Sequence, residues 1–168
     1  MSMEKSKPIS AFAPKNLLIG AMLRIPAQAI HHRIIQELNQ AGFEDLSLPH
    51  IAVLQFPGPD GVRPGRLAER AGMSKQAMNQ LLRSLEAMGY LVRRDEKDGG
   101  RSRIVRFTMR GHSAFAKITE ILREVEQEWS TVLGAKEFAQ LKRLLFRVWQ
   151  SDLVKIPGSS VSADETGA

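Results

Sequence analysis

The chain contains no cysteine, which excludes disulfide frameworks, thiolate zinc sites and thiol-based redox sensing. No apolar run approaches the ~18 residues of a membrane span, and Met1–Pro8 lacks the apolar core of a signal peptide. The signatures G-x-S-x-G, P-loop, G-x-G-x-x-G and H-E-x-x-H are also missing. The sequence therefore predicts a cytoplasmic protein that makes no membrane contact and is not an enzyme.

The charge that is present is unevenly distributed. The 168 residues carry a net charge of +6. Twelve basic and five acidic residues lie between Arg63 and Arg110, so this block alone carries +7 and the rest of the chain is slightly negative. A cationic block of this kind predicts a polyanionic partner, most often nucleic acid. The alternative is a solvated basic surface without such a partner.

Hydrophobic periodicity predicts two helices before this block. The first runs from about Pro14 to Gln40 and contains Pro26, which removes one backbone donor from the helix. Gly42 suits the end of that helix. A second, short helix fits Leu48–Phe56.

The next two helices form a helix-turn-helix pattern. One begins near Pro64 and stops at Gly72, and the other follows Ser74, a candidate N-cap. The second helix of such a pair usually enters the major groove, where Gln and Asn pair with adenine and Lys or Arg reach guanine or phosphate. Its outward face has no acid before Glu86. The candidate DNA-binding residues on this helix are Ser74, Lys75, Gln76, Asn79, Gln80 and Arg83.

A basic β-hairpin follows the recognition helix. Strands at Leu91–Arg94 and Arg101–Thr108 flank a turn-rich tip. In a winged helix such a hairpin contacts phosphates or inserts an arginine into the minor groove, which makes Arg101 and Arg103 candidate DNA-binding residues. The alternative is that the hairpin arginines only keep an edge strand from aggregating.

The final third predicts two more helices, one from Thr108 to about Leu133 and one after Gly134. Together with the first helix they carry more apolar surface than a winged-helix core can cover. We therefore expect a homodimer, with extra packing inside a monomer as the alternative.

The predicted fold class is mainly α with a small β-hairpin wing: a winged helix-turn-helix flanked by N- and C-terminal dimerisation helices. The expected segments are disordered tails at 1–13 and 155–168, a dimerisation helix at 14–46, the winged helix-turn-helix at 47–110 and the C-terminal dimerisation helices at 111–154.

Three motifs in this order resemble the MarR family of regulators. They are LAERAGMS at Leu67–Ser74, LE-x-x-GYL at Leu85–Leu91, and the wing running through Phe107-Thr108 to Gly111. The resemblance covers roughly residues 14–152. It implies a winged-helix homodimer that binds a pseudo-palindromic operator, acts as a repressor and is released by a small aromatic or lipophilic effector.

The sequence departs from the family pattern at two places. The family wing usually carries Asp, one residue and then Arg, whereas Asp98-Gly99-Gly100-Arg101 has one extra glycine, which puts the bracing of the arginine in doubt. The family also often has Arg where Gln80 stands.

An effector would bind where the long helices meet the winged domain. The candidate ligand-binding residues are Met22, Ile25, His31, His50 and Phe115, for each of which plain core packing is the alternative. The four histidines do not suggest a metal, because adjacent His31 and His32 point about 100° apart on a helix and no ligand spacing is present. We expect no metal and no cofactor. The alternative function is a winged-helix protein-interaction module without specific DNA binding.

Overall fold

The computed structural model describes residues 17–55, 61–95 and 103–151. The tails expected to be disordered, at 1–13 and 155–168, lie outside this part of the chain. The architecture is mainly helical with one antiparallel hairpin, as predicted. The elements are α1 (Ile19–Gln40), α2 (Leu48–Leu54), α3 (Pro64–Arg70), α4 (Lys75–Ala87), β1 (Leu91–Asp95), β2 (Arg103–Phe107), α5 (Met109–Leu133) and α6 (Ala135–Trp149).

Two helix boundaries differ from the sequence prediction. The helix α1 begins at Ile19 rather than near Pro14, because Leu18 has an extended backbone with φ −69° and ψ 149°. It continues through Pro26 and ends at Gln40. The helix α2 ends at Leu54, and Phe56, its predicted last residue, lies outside the described residues.

The core lies between α1, α2, the helix pair α3 and α4, the hairpin and the first half of α5. Helix α4 packs against α2 and α3, and α1 packs along α5. The largest fully buried side chains are Tyr90, Ile34, Leu38, Leu54, Leu67, Met78, Leu82, Leu85, Leu91, Ile118, Ile121 and Val53. This packing holds α4 with one face buried and the other directed outward.

The hairpin is anchored to the residues that precede α3. Strands β1 and β2 pair from Leu91 with Phe107 to Asp95 with Arg103. Val62 exchanges two backbone hydrogen bonds with Val105, at 3.2 and 2.9 Å. The preceding Gly61 has φ +83°, and a Cβ there would lie 2.6 Å from the Val105 carbonyl oxygen, so this approach requires glycine.

A polar joint connects the winged part to α5. The buried Tyr90 donates its hydroxyl to Asp45 Oδ1 at 2.5 Å, and Arg110 donates to Asp45 Oδ2 at 2.9 Å. The Arg110 guanidinium lies 4.5 Å from the Tyr90 ring centroid. Thr108, the predicted N-cap of α5, accepts from the Gly111 amide at 3.1 Å. The joint fixes where α5 leaves the winged part.

A second polar joint ties α1 to α5. Arg33 donates both to Glu37 on its own helix, at 2.7 Å, and to Glu124 and Glu128 on α5, at 2.9 and 2.7 Å. Lys117 adds a 3.7 Å pair with Glu37. The two long helices are therefore connected by charges as well as by apolar packing.

Helix α6 leaves a wide apolar surface uncovered in the single chain. None of its residues is buried. Exposed large apolar side chains also lie at the end of α5 and at or just before the start of α1; together with those of α6 they are Leu144, Leu145, Phe146, Val148, Trp149, Val132, Leu133, Leu17, Leu18, Ile19, Met22, Leu23 and Ile25. Among the described residues, no helix is long and apolar enough to cross a membrane.

Candidate nucleic-acid interface

The start of α4 is fixed by a side-chain cap. Ser74 Oγ accepts from the Ala77 amide at 3.1 Å, which confirms Ser74 as the N-cap. Gly72, in the turn between α3 and α4, has a left-handed backbone conformation with φ +61°.

One face of α4 is apolar and the other is polar and cationic. Met78, Leu82 and Leu85 are fully buried. On the outward side the side chains of four predicted DNA-binding residues are exposed: Lys75, Gln76, Gln80 and Arg83. The outward face of the helix thus presents hydrogen-bonding and positively charged groups to the solvent.

A basic cleft of about 560 Å³ lies beside this face, between the start of α3, α4 and β2. Its lining comprises Arg63, Pro64, Gly65, Arg66, Glu69, Lys75, Asn79 and Arg103. The cleft brings Arg103 of the wing together with Lys75 of α4. It contains four cations and one acid, and the nearest approach of Arg66 to that acid, Glu69, is 3.8 Å. Such a surface suits phosphate groups.

Sequence reasoning missed Arg63 and Arg66 as site residues. Both fall within the cationic block between Arg63 and Arg110, so the charge count contained a signal for them. Helical periodicity did not select them, because their place beside α4 depends on how α3 packs.

Asn79 differs from its neighbours on α4 because its amide is already engaged. Its Nδ2 donates to the Lys75 carbonyl oxygen at 2.9 Å, and its Oδ1 accepts from Arg93 Nη1 at 3.2 Å. Arg93, on β1, also donates Nε to Glu86 Oε2 at 2.9 Å. The side chain of Arg93 is only 16% exposed. Asn79 is therefore half-buried between helix and wing.

The structure describes the two strands of the wing, β1 and β2. Arg103 is exposed at the start of β2. Arg101, the other wing residue predicted to contact DNA, lies outside the described residues, as does the Gly99-Gly100 pair. Their DNA contacts stay predictions.

Three of the five predicted effector residues, Met22, Ile25 and His31, are exposed on α1. The exposed fractions of Met22 and Ile25 are 52% and 53%. Phe115 stacks on Phe107, with ring centroids 5.6 Å apart. None of the five lines the basic cleft beside α4.

His50 links α2 to α4. Its Nδ1 accepts from the Ser47 amide at 3.2 Å, and its Nε2 lies 3.1 Å from Ser84 Oγ. Desolvation by burial lowers the pKa of His50, and the charge of Asp45 opposes that shift. The neutral ring with a proton on Nε2 fits both contacts. Among residues 17–55, 61–95 and 103–151, no three His, Asp or Glu side chains form a group that could hold a metal ion.

Known proteins share this arrangement. A family model described as MarR family matches residues 44–102. The HTH-type transcriptional repressor Rv2887 of Mycobacterium tuberculosis is 30% identical over 128 residues, which cover 76% of this chain and 85% of the relative. The relative is a transcriptional regulator by name, not an enzyme.

Two solved structures have the same fold. The Rv2887 complex with salicylic acid has a TM-score of 0.57 and 26% identity, and the match covers 80% of this chain and 98% of that one. A MepR–DNA complex from S. aureus has a TM-score of 0.64 and 20% identity, over 79% of this chain and 97% of that one. The family model matches the winged helix-turn-helix, and the repressor Rv2887 matches three quarters of this chain at 30% identity. The chain therefore belongs to the MarR family of DNA-binding transcriptional regulators.

Proposed function

We propose that two copies of the chain bind one pseudo-palindromic DNA operator and repress transcription. Each copy places α4 in a major groove, so the half-sites lie about 34–36 Å apart, one helical turn. The observation that carries this proposal is the exposed polar and cationic face of α4 beside the basic cleft. A regulator of this kind is not an enzyme and acts in the cytoplasm.

Each exposed side chain of α4 has a role that follows from its chemistry. Lys75, Gln76 and Gln80 read base edges, since an amide pairs with adenine and an ammonium group with guanine. Arg83, two turns from the start of α4, contacts phosphate, and the hydroxyl of Ser74 caps the helix that carries them. Arg101 and Arg103 of the wing contact the backbone or the adjacent minor groove.

The apolar surface shared by α1, α5 and α6 forms the homodimer interface. An apolar area of this extent is unfavourable in water unless another surface covers it. A two-fold dimer would also present its two α4 helices to the same side of a duplex. The proposed division of the chain is therefore dimerisation at 14–46 and 111–154 around DNA binding at 47–110.

A small aromatic or lipophilic effector releases the DNA. The relative crystallised with salicylic acid supports an aromatic acid as its chemical class. An effector shifts the equilibrium only if it binds more tightly to a dimer whose half-site spacing is wrong for DNA. We propose Met22, Ile25, His31, His50 and Phe115 as residues near that site in the dimer.

Selection of bound sequences from random duplexes at physiological salt tests the function. The expected result is a symmetric motif with half-sites one helical turn apart. Arg83→Ala should reduce affinity for that motif and lower the log–log salt slope by about 0.9 per lost phosphate contact. Lys136→Ala removes the same charge from exposed α6 and serves as the control. Recovery of no motif, with wild-type binding equal on all duplexes, would reject the proposal in favour of a protein-interaction module.

A further inference from the structure

Asn79 and Arg93 form a bridge between the recognition helix and the wing. Nη1 of Arg93 donates to Asn79 Oδ1, while its Nε donates to Glu86 Oε2 seven residues further along α4. The planar guanidinium presents its donors in a fixed fork, so one arginine holds two points of the helix at once. The bridge therefore restrains the position of β1 along α4 and its angle to the helix.

The bridge accounts for a residue that base reading does not fit. An asparagine that reads adenine uses its amide oxygen and nitrogen together. In Asn79 the oxygen already accepts from Arg93 and the nitrogen donates to the Lys75 carbonyl. A base would have to compete with both hydrogen bonds.

The same geometry separates Arg93 from the phosphate-binding cations. Its side chain is 16% exposed and directed onto α4, whereas Arg94, its neighbour on β1, is exposed on the other face of the strand. Pairing with Arg93 also neutralises Glu86, the first acid on α4, which would otherwise repel the DNA backbone.

We propose that Arg93 and Asn79 are positioning residues that fix the wing relative to the recognition helix, so that specific DNA is bound by both at once. This inference rests on the proposed DNA-binding function. Because β1 pairs with β2, the bridge also sets the distance between Arg103 of the wing and Lys75 of α4, which line one cleft.

Arg93→Lys tests the bridge because it keeps the charge and removes the fork. Affinity is measured for the selected operator and for a scrambled duplex, each at several salt concentrations. We expect the ratio of the two affinities to fall about tenfold, which is typical for the loss of a hydrogen bond to a charged group, with the salt slope unchanged. Arg94→Lys makes the same exchange on the exposed side of β1 and should leave both quantities at wild-type values.

Asn79→Ala breaks the bridge from the helix side, and alanine is the best helix former, so this variant also covers the case in which Arg93→Lys does not fold. In Asn79→Ala, the preference for the operator over other sequences should weaken at several base pairs and not at one alone. The double variant should lose little more operator preference than the single variant with the larger loss, because both changes break the same interaction.

Three results would overturn the bridge. They are an unchanged affinity ratio in Arg93→Lys, a loss of preference at a single base pair in Asn79→Ala, or additive losses in the double variant. If the wild-type protein selects an operator and any of these results is found, the bridge fails and the proposed function stands. If the wild-type protein selects none, the proposed function itself fails.

Discussion

Ionisation of Tyr90 offers a direct measurement of the joint between the winged part and α5. Tyr90 is the only tyrosine in the chain, so the absorbance of tyrosinate reports this one group. Its ring is fully buried and its hydroxyl donates to Asp45 at 2.5 Å. Desolvation, followed by the hydrogen bond to Asp45, raises the pKa of Tyr90 to about 12, and Arg110 opposes this shift.

The raised pKa predicts a loss of stability at high pH. Below pH about 10, the ordinary pKa of tyrosine, the phenol is neutral in both folded and unfolded chains and its contribution is complete. Between pH about 10 and about 12 the unfolded chain loses the proton first, so the free energy of unfolding falls. A rise of the Tyr90 pKa from 10.0 to about 12 corresponds to about 3 kcal/mol of stability, lost by the time the pH exceeds the folded pKa.

The assay combines two titrations at one protein concentration. Tyrosinate absorbance should rise with a midpoint near pH 12 in the folded protein, and urea unfolding should show the falling free energy. Lysine also titrates in this range, so Tyr90→Phe is the control: its free energy of unfolding should fall less over the same interval, by about 3 kcal/mol. A midpoint near pH 10 while the far-ultraviolet circular dichroism stays native would refute the reasoning.

Three further changes test other parts of the structure. Gly111→Ala would place a Cβ against the Tyr90 carbonyl oxygen and 2.8 Å from Phe107 Cδ1, and we expect about 1–3 kcal/mol of destabilisation in thermal unfolding; Gly20→Ala, with nothing within 4 Å, should show none. The pKa of His50 is lowered in the folded protein, so the contribution of its neutral ring to stability is complete above pH 6.5. That contribution is lost as the pH falls through the lowered folded pKa. The free energy of unfolding in urea should therefore fall with pH in this range, and His50→Gln should reduce the fall. Leu145→Glu, on the exposed apolar face of α6, should convert the proposed dimer to a monomer in sedimentation experiments, while Gln140→Glu, on the opposite side of α6, should not; equal sedimentation of the two variants would contradict the proposed interface.

Local signals in the sequence predicted the starts of two helices correctly, because the side chain at each start bonds to the backbone. Ser74 and Thr108 cap α4 and α5 as expected, because a hydroxyl at that position satisfies a free amide of the first turn. The start of α1 was predicted five residues too early. Leu17 and Leu18 continue the apolar pattern of α1, but an apolar pattern alone does not specify helical dihedral angles.

The contacts that define the site join residues far apart in the chain. Arg93 lies 14 residues after Asn79, and Val105 lies on the wing opposite Val62. No periodicity rule relates such positions, so the sequence predicted that Asn79 is polar and on α4 but not that the wing binds it. The effector residues were predicted from the place where the long helices meet the winged domain, and a sequence pattern does not show how side chains on different helices converge there.

The cationic block serves two purposes that sequence counting cannot separate. Arg93 and Arg110 pair with Glu86 and Asp45 and so stabilise the wing and its joint with α5. Phosphate contacts must come from the other cations of the block, and the salt slope should therefore indicate fewer contacts than the twelve basic residues suggest. Neutralising Arg93 or Arg110 should change specificity or stability and leave the salt slope unchanged, whereas neutralising Arg83 should lower the salt slope itself. The two measurements together assign each cation to the scaffold or to the DNA.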